Sequence, residues 1–277
     1  MNIIQSVVLG IVQGLTEFLP VSSSAHLLFI PKILNWGDIP DSFEVALHFG
    51  TLLAILLVFF NDWIKMIKAS FIVVKEKIKN KDNMNIDKDT MQKAKIFLYL
   101  IVSTIFVALV SYFIDKKRSA LKESKYMTYI MAGSLIFMGL ALYFVDKYKK
   151  NKKSLKDINF KEAFLVGISQ IIALIPGMSR SGTTITTARL FEINKKDAAK
   201  YSFLLATPII FAATVLKVKE FVFTVPFIIG VLVSFITGYL VLKFFMKYLE
   251  TKDYKVFAVY RVVIGIILIL MGIFKFI

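Results

Sequence analysis

Six stretches of this chain, near residues 44–62, 93–114, 127–146, 201–217, 224–245 and 257–276, are almost continuously apolar. Most reach the ~20 residues that carry a helix across the hydrocarbon core of a bilayer, and 201–217 is the shortest. In hydrocarbon every backbone N–H and C=O must be satisfied within the chain, which leaves only helices or closed barrels. Continuous rather than alternating apolar runs exclude the barrel. A composition that is 57% hydrophobic, with mean hydropathy +0.70, lies well above that of a soluble domain. The expected fold is therefore an all-α polytopic membrane protein of the inner-membrane type, one integral domain over 1–277. Met1 to Gln5 lacks a basic stretch, and Gln13, Thr16 and Glu17 interrupt the next apolar residues, so no cleavable signal is expected.

The formal net charge of +16 would suit a nucleic-acid binder if the lysines formed one face. They cluster instead between apolar runs, as topogenic charge facing anionic headgroups, and no nucleic-acid partner is expected. One cluster comprises Lys65, Lys68, Lys75, Lys77, Lys79, Lys81 and Lys88; another comprises Lys147, Lys149, Lys150, Lys152, Lys153, Lys156 and Lys161. Placing both in the cytoplasm puts the N-terminus outside. The opposing loop, with Lys116, Lys117, Arg118, Lys122 and Lys125, makes the bias modest. Without cysteine there is no thiolate chemistry, and two histidines do not make a multi-histidine metal centre.

Segments 3–34 and 160–190 are too polar or too broken to span simply. Each runs from an apolar Gly-Ile-x-Gln stretch (Gly10 to Gln13, Gly167 to Gln170) through a proline (Pro20, Pro176) to a hydroxyl cluster. A proline ends a helix by removing a donor and clashing with the preceding turn. Both segments are read as re-entrant helical hairpins entering from opposite faces, so that halves of approximately 1–146 and 160–277 form inverted-topology repeats. Ser42-Phe43-Glu44-Val45-Ala46-Leu47 echoes Ser202-Phe203-Leu204-Leu205-Ala206-Thr207 in the same order. A duplicated broken helix marks a binding site near the membrane midplane.

The residues at the two breaks suit phosphate chemistry. Gln13 and Glu17 stand one helical turn apart on one face. A carboxylate at such depth must be paired, metal-bound or facing water. Ser22, Ser23 and Ser24 follow Pro20; at least one serves as an ordinary N-cap, while a serine beside a base can also be a nucleophile. His26 is a general acid or base candidate. In the second break, Ser179, Arg180, Ser181, Gly182, Thr183 and Thr184 open a helix whose N-terminus, hydroxyls and guanidinium fork would clamp a phosphate or diphosphate. A purely structural pairing of Arg180 with Glu17 or Glu44 is the competing reading. Glu44 and His48, also one turn apart, are expected to line the same cavity.

With these motifs the chain resembles the undecaprenyl-diphosphate phosphatases of the bacitracin-resistance type. The resemblance rests on Gln13-Gly14-Leu15-Thr16-Glu17-Phe18-Leu19-Pro20-Val21-Ser22-Ser23-Ser24-Ala25-His26 and on Pro176 through Thr184. It runs essentially end to end, including Phe43 to Thr51 and Ser202 to Pro208. It implies six spans with two re-entrant hairpins, a multi-pass protein of the bacterial cell membrane, and a site opening to the outer face. It further implies hydrolysis of a C55 polyprenyl diphosphate to the monophosphate carrier reused in cell-wall synthesis, together with homodimers and divalent-cation dependence. By match of motif, Glu17, Ser23, His26 and Arg180 carry over as central residues and Thr184 as a phosphate contact. Gln13 departs from the Glu of many relatives, which leaves one acid to do the work of two.

Glu17 would hold Mg²⁺ or Ca²⁺ or act as base, and an oxygen-rich set without cysteine suits such a hard cation. No organic cofactor is expected. His26 would deprotonate Ser23 or activate water, with Ser22 and Ser24 as alternative nucleophiles. Another class, an inverted-repeat carrier for a polyprenyl phosphate or other anionic substrate, would use the same breaks and Arg180. It has no use for a base beside a hydroxyl, and that favours the enzyme.

Overall fold

The computed structural model describes residues 1–79, 85–122, 124 and 126–274, the side chains of 115–122 excepted. Lys81 and Lys125, the side chains of Lys116, Lys117, Arg118 and Lys122, and residues 275–276 of the last apolar run lie outside the described residues. The described chain is helical, as its apolar runs require: α1 (Ile3–Thr16), α2 (Ser23–Ile33), α3 (Asp41–Val58), α4 (Phe60–Lys79), α5 (Lys88–Lys122), α6 (Met127–Tyr148), α7 (Phe160–Ile168), α8 (Arg180–Leu190), α9 (Lys195–Lys217), α10 (Val225–Tyr248) and α11 (Lys255–Ile273). Six helical segments are long and apolar enough to cross a membrane: Asp41–Val58, Lys88–Ile114, Met127–Tyr148, Lys195–Glu220, Val225–Tyr248 and Lys255–Ile273. They match the six apolar runs. The all-α polytopic architecture expected from the sequence is the one found.

Two differences stand out. The first span ends at Phe59, and α4 occupies much of what the charge pattern presented as a loop. Its Met66 and Ala69 are buried, whereas Lys65, Lys68 and Lys75 are exposed. Segregation of apolar and charged side chains onto separate faces makes it a helix, and the density of lysine keeps it from being a span. The second difference is the shortest run, 201–217, which is extended toward its N-terminus by the polar turn from Lys195, capped by Asn194 through Asp197 N.

Helices α1, α2, α7 and α8 have 14, 11, 9 and 11 residues. At 1.5 Å per residue they reach roughly 14–21 Å, about half to two-thirds of a hydrocarbon core. Residues Ser169–Leu174 tighten into a 3₁₀ segment before Pro176. Helix α1 packs along α10, and α7 packs along α5; α3 lies against α10 as α9 lies against α5. Helix α3 also lies against α9, and α6 against α11.

Close approach fixes the packing of α1 on α10. Gly10 and Gly14 of α1 face Gly230 and Gly238 of α10, a small-residue seam of the type that lets membrane helices touch backbone to backbone. A Cβ on Gly14 would lie 2.6 Å from Thr237 Cβ and 2.7 Å from Gly238 N. The buried pair Arg189–Asp146 (3.0 Å) anchors the far end of α8 to α6; Arg189 also donates to the carbonyls of Lys149, Lys150 and Ile193. Ion pairs Lys200–Asp62 and Lys196–Glu250, each 2.6 Å, gather the lysine-bearing helix ends at one end of the bundle. The seam yields a contrast. Gly14→Ala should destabilise the protein by about 1–3 kcal/mol through overpacking. Gly133→Ala, whose Cβ would meet nothing within 4 Å, should stabilise it modestly. Thermal unfolding in detergent reads both.

Candidate active site

The two proline breaks meet at one buried carboxylate. Glu17 caps the C-terminal end of α1, just before the turn that contains Pro20, and is 5% exposed. Its Oε1 accepts from Arg180 Nη2 at 2.8 Å, and its Oε2 accepts from Ser23 Oγ at 2.8 Å and Gln13 Nε2 at 3.0 Å. His48 Nδ1 of α3 lies 2.8 Å from Gln13 Nε2 and 3.2 Å from Glu17 Oε2. Four helices thus contribute to a single group. Phe18 fixes its depth, fully buried and edge-on to Phe203 of α9 with ring centroids 5.5 Å apart.

The breaks are alike in detail. Ser22 and Ser179, at the N-cap positions of α2 and α8, both have positive φ, 76° and 68°. Such values are uncommon for residues other than glycine and cluster at functional sites. Ser22 Oγ is 3.3 Å from Ser24 Oγ, and Ser179 Oγ is 3.2 Å from Ser181 Oγ. The residue following each N-cap, Ser23 in one break and Arg180 in the other, then turns to Glu17. Only the second serine caps in the ordinary way, accepting from Gly182 N at 3.1 Å; Ser22 makes no side-chain cap bond. The N-cap expectation for the first cluster therefore holds in position but not in hydrogen bonding. Ser181 Oγ donates to Leu19 O at 3.1 Å and closes one break onto the other.

Not every expected residue faces the same way. Thr183 and Thr184 hydroxyls bond back to Arg180 O at 2.9 and 2.8 Å, and Thr184 Oγ1 is 2.6 Å from Ser202 Oγ. They brace the turn that carries Arg180. A Cβ on Gly182 would stand 3.1 Å from Ser179 Cβ and 3.2 Å from Arg261 Nη1, so this glycine makes room for protein. Glu44, half-buried, sits one turn before His48, and it is His48 that reaches the carboxylate.

The sequence places His26 near Ser23 as its base. In the structure the Ser23 hydroxyl is bound to Glu17, while both nitrogens of His26 turn elsewhere. Nδ1 is 2.8 Å from Ser22 O, and Nε2 is 2.7 Å from the Tyr260 hydroxyl. A carbonyl only accepts, so Nδ1 donates and Nε2 of the neutral ring accepts from Tyr260. The physical reason is local: on α2 a side chain three residues after Ser23 is directed by its backbone bond to Ser22 and stacks on Tyr260.

Sequence reasoning missed Tyr260 and its neighbour Arg261. Arg261 is fully buried and donates to Pro20 O, Gly177 O, Met178 O and Leu135 O. The signal was available, since an arginine inside an apolar span is expensive and by default functional.

Two buried atoms at the centre have no hydrogen-bond partner among the described residues: Arg180 Nη1 and Gln13 Oε1. One is a donor and one an acceptor, an arrangement that suits a ligand bringing oxygens and a cation. No group of three His, Cys, Asp or Glu side chains among the described residues could hold a metal unaided. Glu17 and Gln13 Oε1 do fit a hard cation whose remaining ligands come from phosphate and water, as Mg²⁺ is commonly held.

A family model described as "Bacitracin resistance protein BacA" matches residues 6–267. Similar proteins include the "Undecaprenyl-diphosphatase" of Desulforudis audaxviator (strain MP104C), 37% identical over 99% of this chain and 100% of the relative. That of Pelotomaculum thermopropionicum is 35% identical over 98% and 97% of the two chains, and that of Moorella thermoacetica 36% identical over 97% of each. With a match this long, and with both breaks inside it, the chain belongs to the bacitracin resistance protein BacA family.

Proposed function

We propose that this protein is an integral membrane phosphatase that hydrolyses undecaprenyl diphosphate to undecaprenyl monophosphate and inorganic phosphate, returning the lipid carrier to cell-wall synthesis and thereby conferring bacitracin resistance. The observation that carries the reading is the convergence of a hydroxyl from one break (Ser23) and a guanidinium from the other (Arg180) on one buried carboxylate. A carrier would need the guanidinium; it would have no use for the 2.8 Å bond between a hydroxyl and a base. The names of the relatives support the same substrate.

The mechanism is built on the atoms already committed. Arg180 Nη1 donates to an oxygen of the terminal phosphoryl group, and Nη2 keeps the carboxylate oriented. Glu17 takes the Ser23 proton as Oγ forms a bond to the terminal phosphorus. The bridging P–O bond breaks, and undecaprenyl monophosphate leaves. Water then attacks the phosphoserine, its proton passing to the Tyr260 hydroxyl as that hydroxyl gives its own to His26 Nε2; the Oγ–P bond breaks, Glu17 returns its proton to Ser23 Oγ, and inorganic phosphate and free Ser23 result. A divalent cation held by Glu17 and Gln13 would neutralise charge on the phosphoryl oxygens. Ser179, Ser181, Thr183 and Thr184 shape the turn behind Arg180, and Ser22 and Ser24 shape the turn behind Ser23.

The setting we propose is the bacterial cytoplasmic membrane, with both short-helix pairs re-entrant, the site opening outward and the prenyl tail left in lipid. The lysine-bearing helix ends, gathered at one end of the bundle, support the orientation. The corresponding packing of α1 on α10 and α7 on α5 supports two inverted halves, approximately 1–146 and 160–277.

Phosphate release from C55 diphosphate by purified protein in detergent tests the reading. Arg180→Ala should lose about 10²–10³ in kcat, the typical cost of one donor to a developing charge. Glu17→Gln should lose at least as much, and a chelator should abolish release until Mg²⁺ or Ca²⁺ is restored. Folded wild type that releases no phosphate with either cation would sink the proposal. Ser23→Ala is expected to be inactive, and near-normal turnover would hand the nucleophile's part to water. Tyr260→Phe should slow breakdown of the phosphoenzyme about 10–100-fold, because the water's proton loses its path to His26 Nε2. Rapid-quench separation of phosphoenzyme formation from phosphate release reads that step.

A further inference from the structure

Two arginines of this bundle are fully buried, Arg189 and Arg261, and Arg180 is half-buried; two of the three have a carboxylate partner, Arg180 pairing with Glu17 and Arg189 with Asp146. Arg261 differs. It lies in the seventh position of α11, is fully buried, and makes no ion pair among the described residues. All of its hydrogen bonds go to backbone carbonyls: Pro20 O at 3.0 Å, Gly177 O at 2.9 Å, Met178 O at 3.1 Å and Leu135 O at 3.3 Å. Pro20 belongs to the first break, and Gly177 and Met178 belong to the second. One side chain therefore binds the broken backbone of both halves, from behind the residues that converge on Glu17.

Satisfying orphaned carbonyls explains donors at this place but not a full charge. A neutral amide or a water could donate to carbonyls, whereas a desolvated guanidinium is costly unless something takes up its charge. Glu17 and Arg180 cancel each other, which leaves Arg261 as unbalanced positive charge beneath the turn from Ser179 to Gly182. A diphosphate, or the phosphate product, supplies the missing anion. Gly177 has φ of 90°, and a Cβ there would lie 2.5 Å from Met131 O, so the backbone at the second break is pressed into the position where Arg261 meets it. The same helix presents Tyr260 to His26, which makes α11 the common support of the site.

We propose that Arg261 is a positioning residue for the phosphoryl transfer. It holds the two breaks in register so that Ser23, Glu17 and Arg180 meet, and its unpaired charge strengthens the hold on phosphate. This inference rests on the phosphatase reading. It is tested with full-length wild type, Arg261→Lys, Arg261→Gln and Arg189→Lys, each taken as the monodisperse fraction in detergent. C55 diphosphate is the substrate, and inorganic phosphate is the inhibitor.

Lysine keeps the charge but cannot fork across four carbonyls, so Arg261→Lys should lose about tenfold or more in kcat while phosphate inhibition stays within about threefold of wild type. Arg261→Gln should lose about a hundredfold in kcat and bind phosphate about tenfold more weakly, because charge and fork both go. Arg189→Lys removes an equally buried fork at a distance from the breaks; it should lower the unfolding temperature and leave kcat within about threefold. The inference is overturned if folded Arg261→Lys turns over at the wild-type rate, or if Arg261→Gln leaves phosphate inhibition unchanged. An equal loss of kcat in Arg189→Lys also overturns it, since the effect would then be general loosening. Should Arg261→Gln fail to fold, the lysine variant alone decides. Absence of phosphate release from wild type would instead remove the phosphatase reading, a distinct failure.

Discussion

A carboxylate buried among apolar helices must be met by donors from wherever the fold can supply them, because an unpaired charge at that depth would cost several kcal/mol. Glu17 draws them from Gln13 on α1, Ser23 on α2 and Arg180 on α8, with His48 Nδ1 of α3 3.2 Å away. The Glu17–Arg180 pair ties residues 163 positions apart and joins two backbone breaks that would otherwise have no reason to adjoin. Each break exposes amide and carbonyl groups that hydrocarbon cannot satisfy. Placing the breaks against each other lets protein groups satisfy them, as in the bond from Ser181 Oγ to Leu19 O.

Strain and its restraint lie close together. Ser22 and Ser179 hold left-handed backbone that a serine rarely adopts. The conformation is held by bonds at the breaks themselves: Ser179 Oγ accepts from Gly182 N, and Arg261 donates to the carbonyls of Pro20, Gly177 and Met178. The side chains proposed to react are carried on helix ends rather than on a loop, which is how a catalytic constellation keeps its geometry. In the proposed reaction the donors are already in place, so little reorganisation is needed as charge moves between phosphoryl oxygens.

The structure also separates two bases that sequence placed together. Glu17 accepts from the Ser23 hydroxyl, and His26 stands apart with its accepting nitrogen on Tyr260. Two such groups with different partners suit the two steps proposed, one acting on a side-chain hydroxyl and the other on a water. Gln13 in place of a second acid fits the same economy: its amide donates to Glu17 and leaves one carbonyl oxygen without a protein partner.

Much of this was written in the chain. Apolar length set the helices and their number, because each span satisfies its own backbone hydrogen bonds and needs no distant partner. Proline set the breaks, and the presence of Glu17, Ser23, His26 and Arg180 beside them marked the chemistry. Helix α4 was the element that charge disguised, since lysines on one face of an amphipathic helix read as a loop when only the net count is considered. What tertiary structure alone decided was pairing: that Ser23 turns to Glu17, that His26 turns to Tyr260, that Thr183 and Thr184 brace the backbone, and that Arg261 bridges both breaks. Those partners lie up to 241 positions apart in the chain. Local sequence constrains the conformation of a helix or a turn, but not which distant carbonyl a buried guanidinium will meet; that is settled only when the helices pack.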